Sequence, residues 1–240
     1  GHAIAAVAAN SPHEAEEALA KIEVDYEVLP TVLTLEDAMK DGAPLLHEDL
    51  TTRSISAFME KGGDTREPSN VSFHMRFQNG DFEAALEESD VVVEREYTTQ
   101  SVHQGYIEPH ASTAWWGPDD HITIWTSTQG PFSVRSETAL ILGVPEGKVK
   151  VIPLEIGGGF GGKLDTYLDP VAAALSHKSG HPVKIVMTRK EVFEGSGPTS
   201  ATKVKVKLGA KSSGKILAAH VEQVFEAGAF PGSPVGEGSM

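Results

Sequence analysis

Residues 156–165 read IGGGFGGKLD, with five glycines in the six positions 157–162 and a single phenylalanine, Phe160, among them. A backbone this bare can turn N–H groups toward one anion or one bound oxygen, because no Cβ holds the ligand off. Several chemistries use such a loop. Gly157, Gly159 and Gly162 satisfy G-x-G-x-x-G, which binds a dinucleotide only when a helix starts at the loop and meets the pyrophosphate. Here the first helix-start signal after the loop is Asp169-Pro170, and Arg189, not an acid, closes the next strand. Gly157, Gly162 and Lys163 satisfy G-x-x-x-x-G-K, but Leu164 stands where a P-loop needs the hydroxyl that binds magnesium. A third chemistry takes the backbone itself as the donor array, with Phe160 as an anchor or pocket wall. A tight glycine turn with no ligand stays open beside these.

A second stretch, STQGP at 127–131, places Gln129 at the end of an apolar strand and before a helix. Its amide N–H can enter the same space as the glycine loop, or it can serve as a polar residue at the helix start. Glu155 and Asp165 flank the loop and read as solvated carboxylates. His103, His110, His177 and His181 show no metal-ligand spacing and read as core or surface residues.

The elements that must position these residues follow from pattern. Residues 3–9 and IEVDYEVL at 22–29 read as strands. Between them, Ser11-Pro12-His13-Glu14 gives an N-cap, a proline in the first turn and a following glutamate, starting a helix to about Ile22. Thr34 with Asp37 starts a short helix through Met39, and residues 47–80 read as a long irregular linker. Asp81 caps a helix that leads into strand VVVEREYTT. ASTAWW and HITIWTST pair through the turn at 117–120. A helix over about 132–142 closes at Gly143, and KVKVIPLEI runs as a strand into the glycine loop. Asp169-Pro170 opens a helix ended by Gly180, VKIVMT is a strand, and TKVKVKLGA with KILAAHVEQVFEA forms a hairpin around Ser213-Gly214.

With 240 residues and a formal charge of −14, the chain has no basic face for nucleic acid, and no 18-residue apolar window for a membrane. It holds no cysteine, which excludes disulfides, thiolate metal sites and any iron–sulfur cluster on this chain. That fits a reducing cytoplasm, the expected location. The start in GHAIAAVAAN and the end in SPVGEGSM lead us to expect a fragment or a processed chain.

Taken together, STQGP and GGGFGGK, with Gln129 and Phe160 at their relative spacing, resemble the cofactor site of the molybdenum-binding subunit of the xanthine dehydrogenase and aldehyde oxidase family. GHAIAAVAANSPHEAEEALAKIEVDYEVLPTVLTLEDAM and GAPLLHEDL are similar to that family's a/b hammerhead domain. GDFEAALEESDVVVEREYTTQSVHQGYIEPHASTAWW is similar to the crossover into its first molybdopterin-binding domain. The resemblance covers essentially the whole chain. It implies an α+β fold: a small α/β hammerhead-like domain over 1–93, N-terminally truncated and with the long linker at about 47–80, then a mixed α+β molybdopterin-binding domain over 94–240, C-terminally truncated.

The resemblance also implies a pterin-dithiolene molybdenum cofactor that hydroxylates carbon with oxygen from water. The form of the pterin stays open, the cytosine dinucleotide form among the choices. The metal takes its sulfur from the pterin, so no residue here is a direct ligand. Gln129 would hydrogen-bond an apical oxygen on molybdenum, and the backbone of Gly158, Gly159, Phe160 and Gly161 would hold the same ligand sphere, as donors fixed in advance around charge. Leu164 would line the substrate pocket. The purine-oxidising branch carries a glutamate there, so an aldehyde, aromatic or other less polar heterocyclic substrate is expected. The family's general-base glutamate lies outside this chain, so no catalytic residue is assigned within it, and the chain alone is expected to be inactive. Iron–sulfur and FAD centres would sit on partner domains or subunits of a hetero-oligomer. A non-catalytic binding or assembly module of the same fold and a nucleotide-binding P-loop-like protein are the alternatives.

Overall fold

A computed structural model describes residues 3–56 and 67–229. In chain order its elements are α1 (Pro12–Leu19), α2 (Leu35–Ala38), β1 (Arg53–Ser56), β2 (Phe73–Arg76), α3 (Phe82–Glu87), β3 (Val91–Thr99), β4 (Ala111–Trp116) and β5 (Ile122–Thr126). They continue with α4 (Pro131–Leu142), β6 (Val149–Pro153), α5 (Asp169–Ser179), β7 (Val183–Val186), α6 (Arg189–Gly195), β8 (Thr202–Ala210) and β9 (Ile216–Phe225). The class is α+β. Among the described residues no helix is long and apolar enough to cross a membrane.

Two compact units form, each from two stretches of chain: Gly1–Glu27 with His103–Thr199, and Val28–Val102 with Ser200–Met240. The first unit carries a four-stranded sheet in the order β6-β5-β4-β7. Strands β4 and β5 pair antiparallel, in register Ala114 to Ile124, through the expected turn at 117–120. Strands β5 and β6 pair parallel, Thr126 opposite Pro153, because helix α4 carries the chain back between them. One sheet face is buried: Ser112, Ala114, Ile122, Ile124 and Thr126 lie on it. Helices α4 and α5 cover that face with Ala139, Ala172 and Ala173, and Val149 completes the core. Small residues on α5 let its backbone approach the sheet, and Ser176 from the same helix accepts the Trp116 N–H at 3.0 Å. Gly143 and Gly180 end the two helices in the left-handed conformation, as glycine after a last turn does.

The second unit carries a three-stranded antiparallel sheet in the order β3-β8-β9, with α3 beside it, and a short parallel pair, β1 with β2. Asp81 caps α3 by accepting the Ala84 N–H at 3.1 Å. Thr34 caps α2 in the same way, at 3.0 Å from the Asp37 N–H.

The structure corrects several sequence expectations. Residues 3–9 and 22–29 form no strand, although the first is a short apolar run and the second alternates. A strand needs a neighbour to take its backbone bonds, and no described residue pairs with either segment. Helix α1 ends at Leu19, short of Ile22. The stretch 47–80 holds strands β1 and β2 where irregular chain was expected; part of it, residues 57–66, lies outside the described residues. Helix α6 was not anticipated, although Thr188 and Glu191 form a reciprocal capping box at its start.

Candidate functional site

The topology explains why two motifs far apart in sequence meet. Strands β5 and β6 lie side by side and parallel, so the residues following each emerge at the same end of the sheet. Gln129 follows β5, and the glycine loop follows β6. Open sheets commonly bind ligands beyond the carboxyl ends of such strands.

Four hydrogen bonds join the segments. The Gln129 N–H donates to the Lys163 carbonyl at 2.8 Å, and Thr128 Oγ1 donates to the same carbonyl at 3.1 Å. Gln129 Oε1 accepts from the Gly161 N–H at 3.1 Å and from the Lys163 N–H at 3.2 Å. The Gly161 amide, expected to face a ligand, is therefore turned to Gln129. Within the loop, the Gly162 N–H closes on the Gly159 carbonyl at 2.8 Å.

The loop conformation departs from ordinary backbone. Phe160 has φ 52°, and Gly158 and Gly161 have φ 93° and 87°. A non-glycine residue held left-handed costs about 1–2 kcal/mol, so the surroundings must impose it. Gly159 is required for closeness instead: a Cβ there would lie 2.6 Å from Gln129 Cδ. Phe160 is 74% exposed, and Leu164 is exposed as well. Gln129 is exposed, and its Nε2 has no hydrogen-bond partner among the described residues. The successive N–H groups of Gly158, Gly159 and Phe160 have none either. Gly159 is itself buried, where an unpaired N–H is rare and costs about 1–3 kcal/mol.

Two residues complete the site: Lys163, which the sequence pattern offered only as a P-loop lysine, and Glu108, which it did not single out. Lys163 turns inward, with its side chain 0% exposed, and pairs with Glu108 Oε2 at 2.6 Å. Its ammonium lies 4.9 Å from the centre of the Tyr106 ring. The same Glu108 oxygen accepts the Gly157 N–H at 2.7 Å. Burial raises the Glu108 carboxyl, but Lys163 and the Gly157 N–H together outweigh it and hold the group below its ordinary value. An inward, paired lysine cannot reach a phosphate, which removes the P-loop alternative. Only the proline after Glu108, in YIEP, hinted at a constrained segment.

Beneath the loop lies a buried polar chain. Tyr106 donates or accepts at 2.6 Å with His110 Nε2, and its hydroxyl lies 3.2 Å from Ser196 Oγ, which in turn contacts His103 Nε2 at 2.9 Å. Burial, then the Lys163 charge, push His110 down to about 4, so it is neutral near pH 7. Arg189 donates to the carbonyl oxygens of Tyr106 (2.9 Å) and Ile107. His177 packs on Trp116, with ring centres 4.3 Å apart, well along the chain from the loop. Glu155 is exposed, whereas burial and the Glu137 charge raise the Asp165 carboxyl.

The donor set is therefore amides, not carboxylates or imidazoles, and no cluster of three metal-ligating side chains occurs among the described residues. The first turn of α4, which follows Gln129 directly, contains no acidic residue. Such a surface fits an anionic group that brings its own metal ligands.

Comparison with known proteins points the same way. The family model of the molybdopterin cofactor-binding domain matches residues 64–240. The chain is 33% identical over 230 residues to the nicotinate dehydrogenase large molybdopterin subunit of Eubacterium barkeri, covering 96% of this chain and 50% of that protein. It is 29% identical over 231 residues to the xanthine dehydrogenase molybdenum-binding subunit of Escherichia coli O157:H7, over 96% of this chain and 28% of that protein. The solved CO dehydrogenase from Oligotropha carboxidovorans aligns with TM-score 0.71 and 31% identity, over 90% of this chain and 27% of that one. The aldehyde oxidoreductase from Desulfovibrio gigas aligns with TM-score 0.75 over 90% of this chain and 22% of that one, and at 20% identity this is a likeness of fold. The chain spans half or less of the length of these relatives.

Proposed function

Because the chain belongs to the molybdopterin cofactor-binding domain family, we propose that it supplies one wall of the pterin–molybdenum site of a molybdenum hydroxylase. The observation that carries this reading is the set of amide donors without partners, Gln129 Nε2 and the N–H groups of Gly158, Gly159 and Phe160, on a loop whose other bonds are spent on holding its shape. When bound, the cofactor supplies the oxidant for hydroxylation of a substrate carbon with oxygen from water.

The residues of this chain bind and orient. Gln129 offers its Nε2 as donor while its Oε1 keeps Gly161 and Lys163 in place. The loop amides and the first turn of α4 add partial positive charge without a mobile cation. Leu164 and Phe160 present apolar surface, which favours an aldehyde, aromatic or weakly polar heterocyclic substrate over a purine. The proton-abstracting carboxylate is placed outside residues 1–240, so this chain alone should not turn over. Electron transfer onward through iron–sulfur and flavin centres on partner domains or subunits, a cytosine dinucleotide form of the pterin, a cytoplasmic hetero-oligomer, and a domain boundary near residue 93 belong to the same reading.

The test uses two variants of the full-length enzyme. Gln129→Glu keeps an acceptor for the Gly161 and Lys163 amides but deletes the Nε2 donor, and Gln129→Ala deletes both. Loss of one preorganised donor is worth about 10²–10³ in rate. Both variants should fall by that much, with near-wild-type folding for Gln129→Glu. Wild-type turnover in Gln129→Glu would remove Gln129 from the site. Elemental molybdenum together with pterin fluorescence on the wild-type protein tests the cofactor class, and a folded preparation with neither supports a non-catalytic module.

A further inference from the structure

A loop of five glycines has almost no side chains with which to lock itself, yet this one holds three residues at positive φ, Phe160 among them. Its conformation must be imposed from outside. Lys163 is where the constraints converge. Its N–H donates to Gln129 Oε1, its carbonyl accepts from the Gln129 N–H and Thr128 Oγ1, and its ammonium reaches Glu108. Glu108 then returns to the start of the loop, because the oxygen that meets the ammonium also accepts the Gly157 N–H. The Glu108 N–H donates to the Gly157 carbonyl at 3.3 Å, so Glu108 grips both backbone polar atoms of Gly157. One carboxylate oxygen thus joins the first residue of the loop to the residue that closes it, and through it to Gln129.

Stability alone does not account for a charge in this place. The Lys163 side chain is wholly buried, Glu108 is 32% exposed, and Tyr106 forms an aromatic floor beneath the ammonium. Withdrawing a cation from water is offset here by one carboxylate and one ring face. Buried ion pairs of this kind are often matched or exceeded in stability by apolar residues of similar volume, while losing one partner alone is strongly destabilising. What an apolar pair lacks is direction: it cannot tie a specific N–H to a specific distance.

We infer that the Glu108–Lys163 pair is a positioning clamp that holds Gln129 and the loop amides at the spacing the cofactor requires. This rests on the function proposed above. Each acts through the loop, as a positioning residue.

The experiment compares the full-length enzyme, expressed with its neighbouring genes, as wild type, Glu108→Gln, and Glu108→Gln combined with Lys163→Met. The probes are bound molybdenum by elemental analysis and bound pterin by fluorescence after oxidation. Both are followed over time as the protein is diluted, alongside thermal melting. Glu108→Gln alone leaves a buried ammonium uncompensated and should melt lower. The double variant is free of both charges and should melt close to wild type while releasing cofactor about 10–100-fold faster, the range typical for loss of a supporting partner around a bound metal. Wild-type release from the folded double variant would overturn the clamp and leave the proposed function standing. Failure of the double variant to fold would also overturn it, because the pair would then be a structural requirement. A wild-type enzyme with neither molybdenum nor pterin would overturn the proposed function and the clamp together.

Discussion

The two sheets of this protein are built from equally clear hairpin patterns, yet they are held in different ways. In the four-stranded sheet, burial alternates along β4 and β5, and Ala114, Ile122 and Ile124 are wholly enclosed beneath α4 and α5. In the three-stranded sheet every position of β3 is exposed, including Val91, Val93 and Tyr97. One face there is a ladder of charge, with Lys207 3.6 Å from Glu94 and Lys203 3.3 Å from Glu96. The first sheet stands on side-chain volume; the second stands on backbone pairing and exposed ion pairs. The loop that must hold strained backbone is attached to the first. A strained loop persists only where its surroundings over-determine it, and a packed sheet end supplies that.

This contrast can be broken most directly by removing volume. Ile124→Ala should cost about 2–5 kcal/mol, whereas Val93→Ala, on the exposed sheet, should stay within about 0.5 kcal/mol. All three tryptophans, Trp115, Trp116 and Trp125, lie on β4 and β5, so denaturant unfolding followed by tryptophan fluorescence reports the first sheet. Hydrogen exchange of β8 amides reports the second. Comparable losses at the two positions would show that both sheets are packed alike.

A sharper test adds volume. Gly209 is one place where the second sheet does have packing, since a Cβ there would lie 3.0 Å from Leu86 Cδ1 of α3. Gly209→Ala should cost about 1–3 kcal/mol, read as faster exchange across β8 and β9. No change would mean that α3 yields freely.

Acid should separate the two sheets as well. The unfolded state takes up a proton on His110 from about pH 6.5 downward, but the folded state only near 4, where burial has pushed it. The stability contributed by neutral His110 is therefore complete above pH 6.5 and is lost as pH falls toward 4, by at most about 1.4 kcal/mol per pH unit. The fluorescence-detected unfolding midpoint should drop over that window, and His110→Asn should flatten the drop. An unchanged slope in the variant would assign the acid response to other groups.

The smallest effect belongs to the charge ladder. Lys207→Ala should change stability by less than about 1 kcal/mol, because both partners are exposed and screened. A larger loss by hydrogen exchange would mean that the ladder is a cooperative network.

Much of this was legible in the chain itself. Alternation and turn chemistry located β4 with β5 and β8 with β9. Capping residues Ser11, Thr34 and Asp81 located the starts of α1, α2 and α3, because an N-cap side chain satisfies backbone donors within its own turn and needs no distant partner. Bare glycines announced a loop that something approaches, and the pairing of Gln129 with Phe160 pointed to the family. These are local facts, and local physical chemistry is written in local sequence.

The tertiary structure decided the rest. The apolar run at 3–9 and the alternation at 22–29 produced no strand, since a strand is completed only by a neighbour. Lys163, which in sequence looks like a phosphate-binding lysine, is enclosed because Glu108 and Tyr106 from a distant segment surround it. Whether Gln129 spends its oxygen on Gly161 and Lys163, and so keeps its nitrogen for a ligand, depends on parallel pairing of β5 with β6. Burial and partner identity arise from chain segments converging in space, and no single stretch of residues records them.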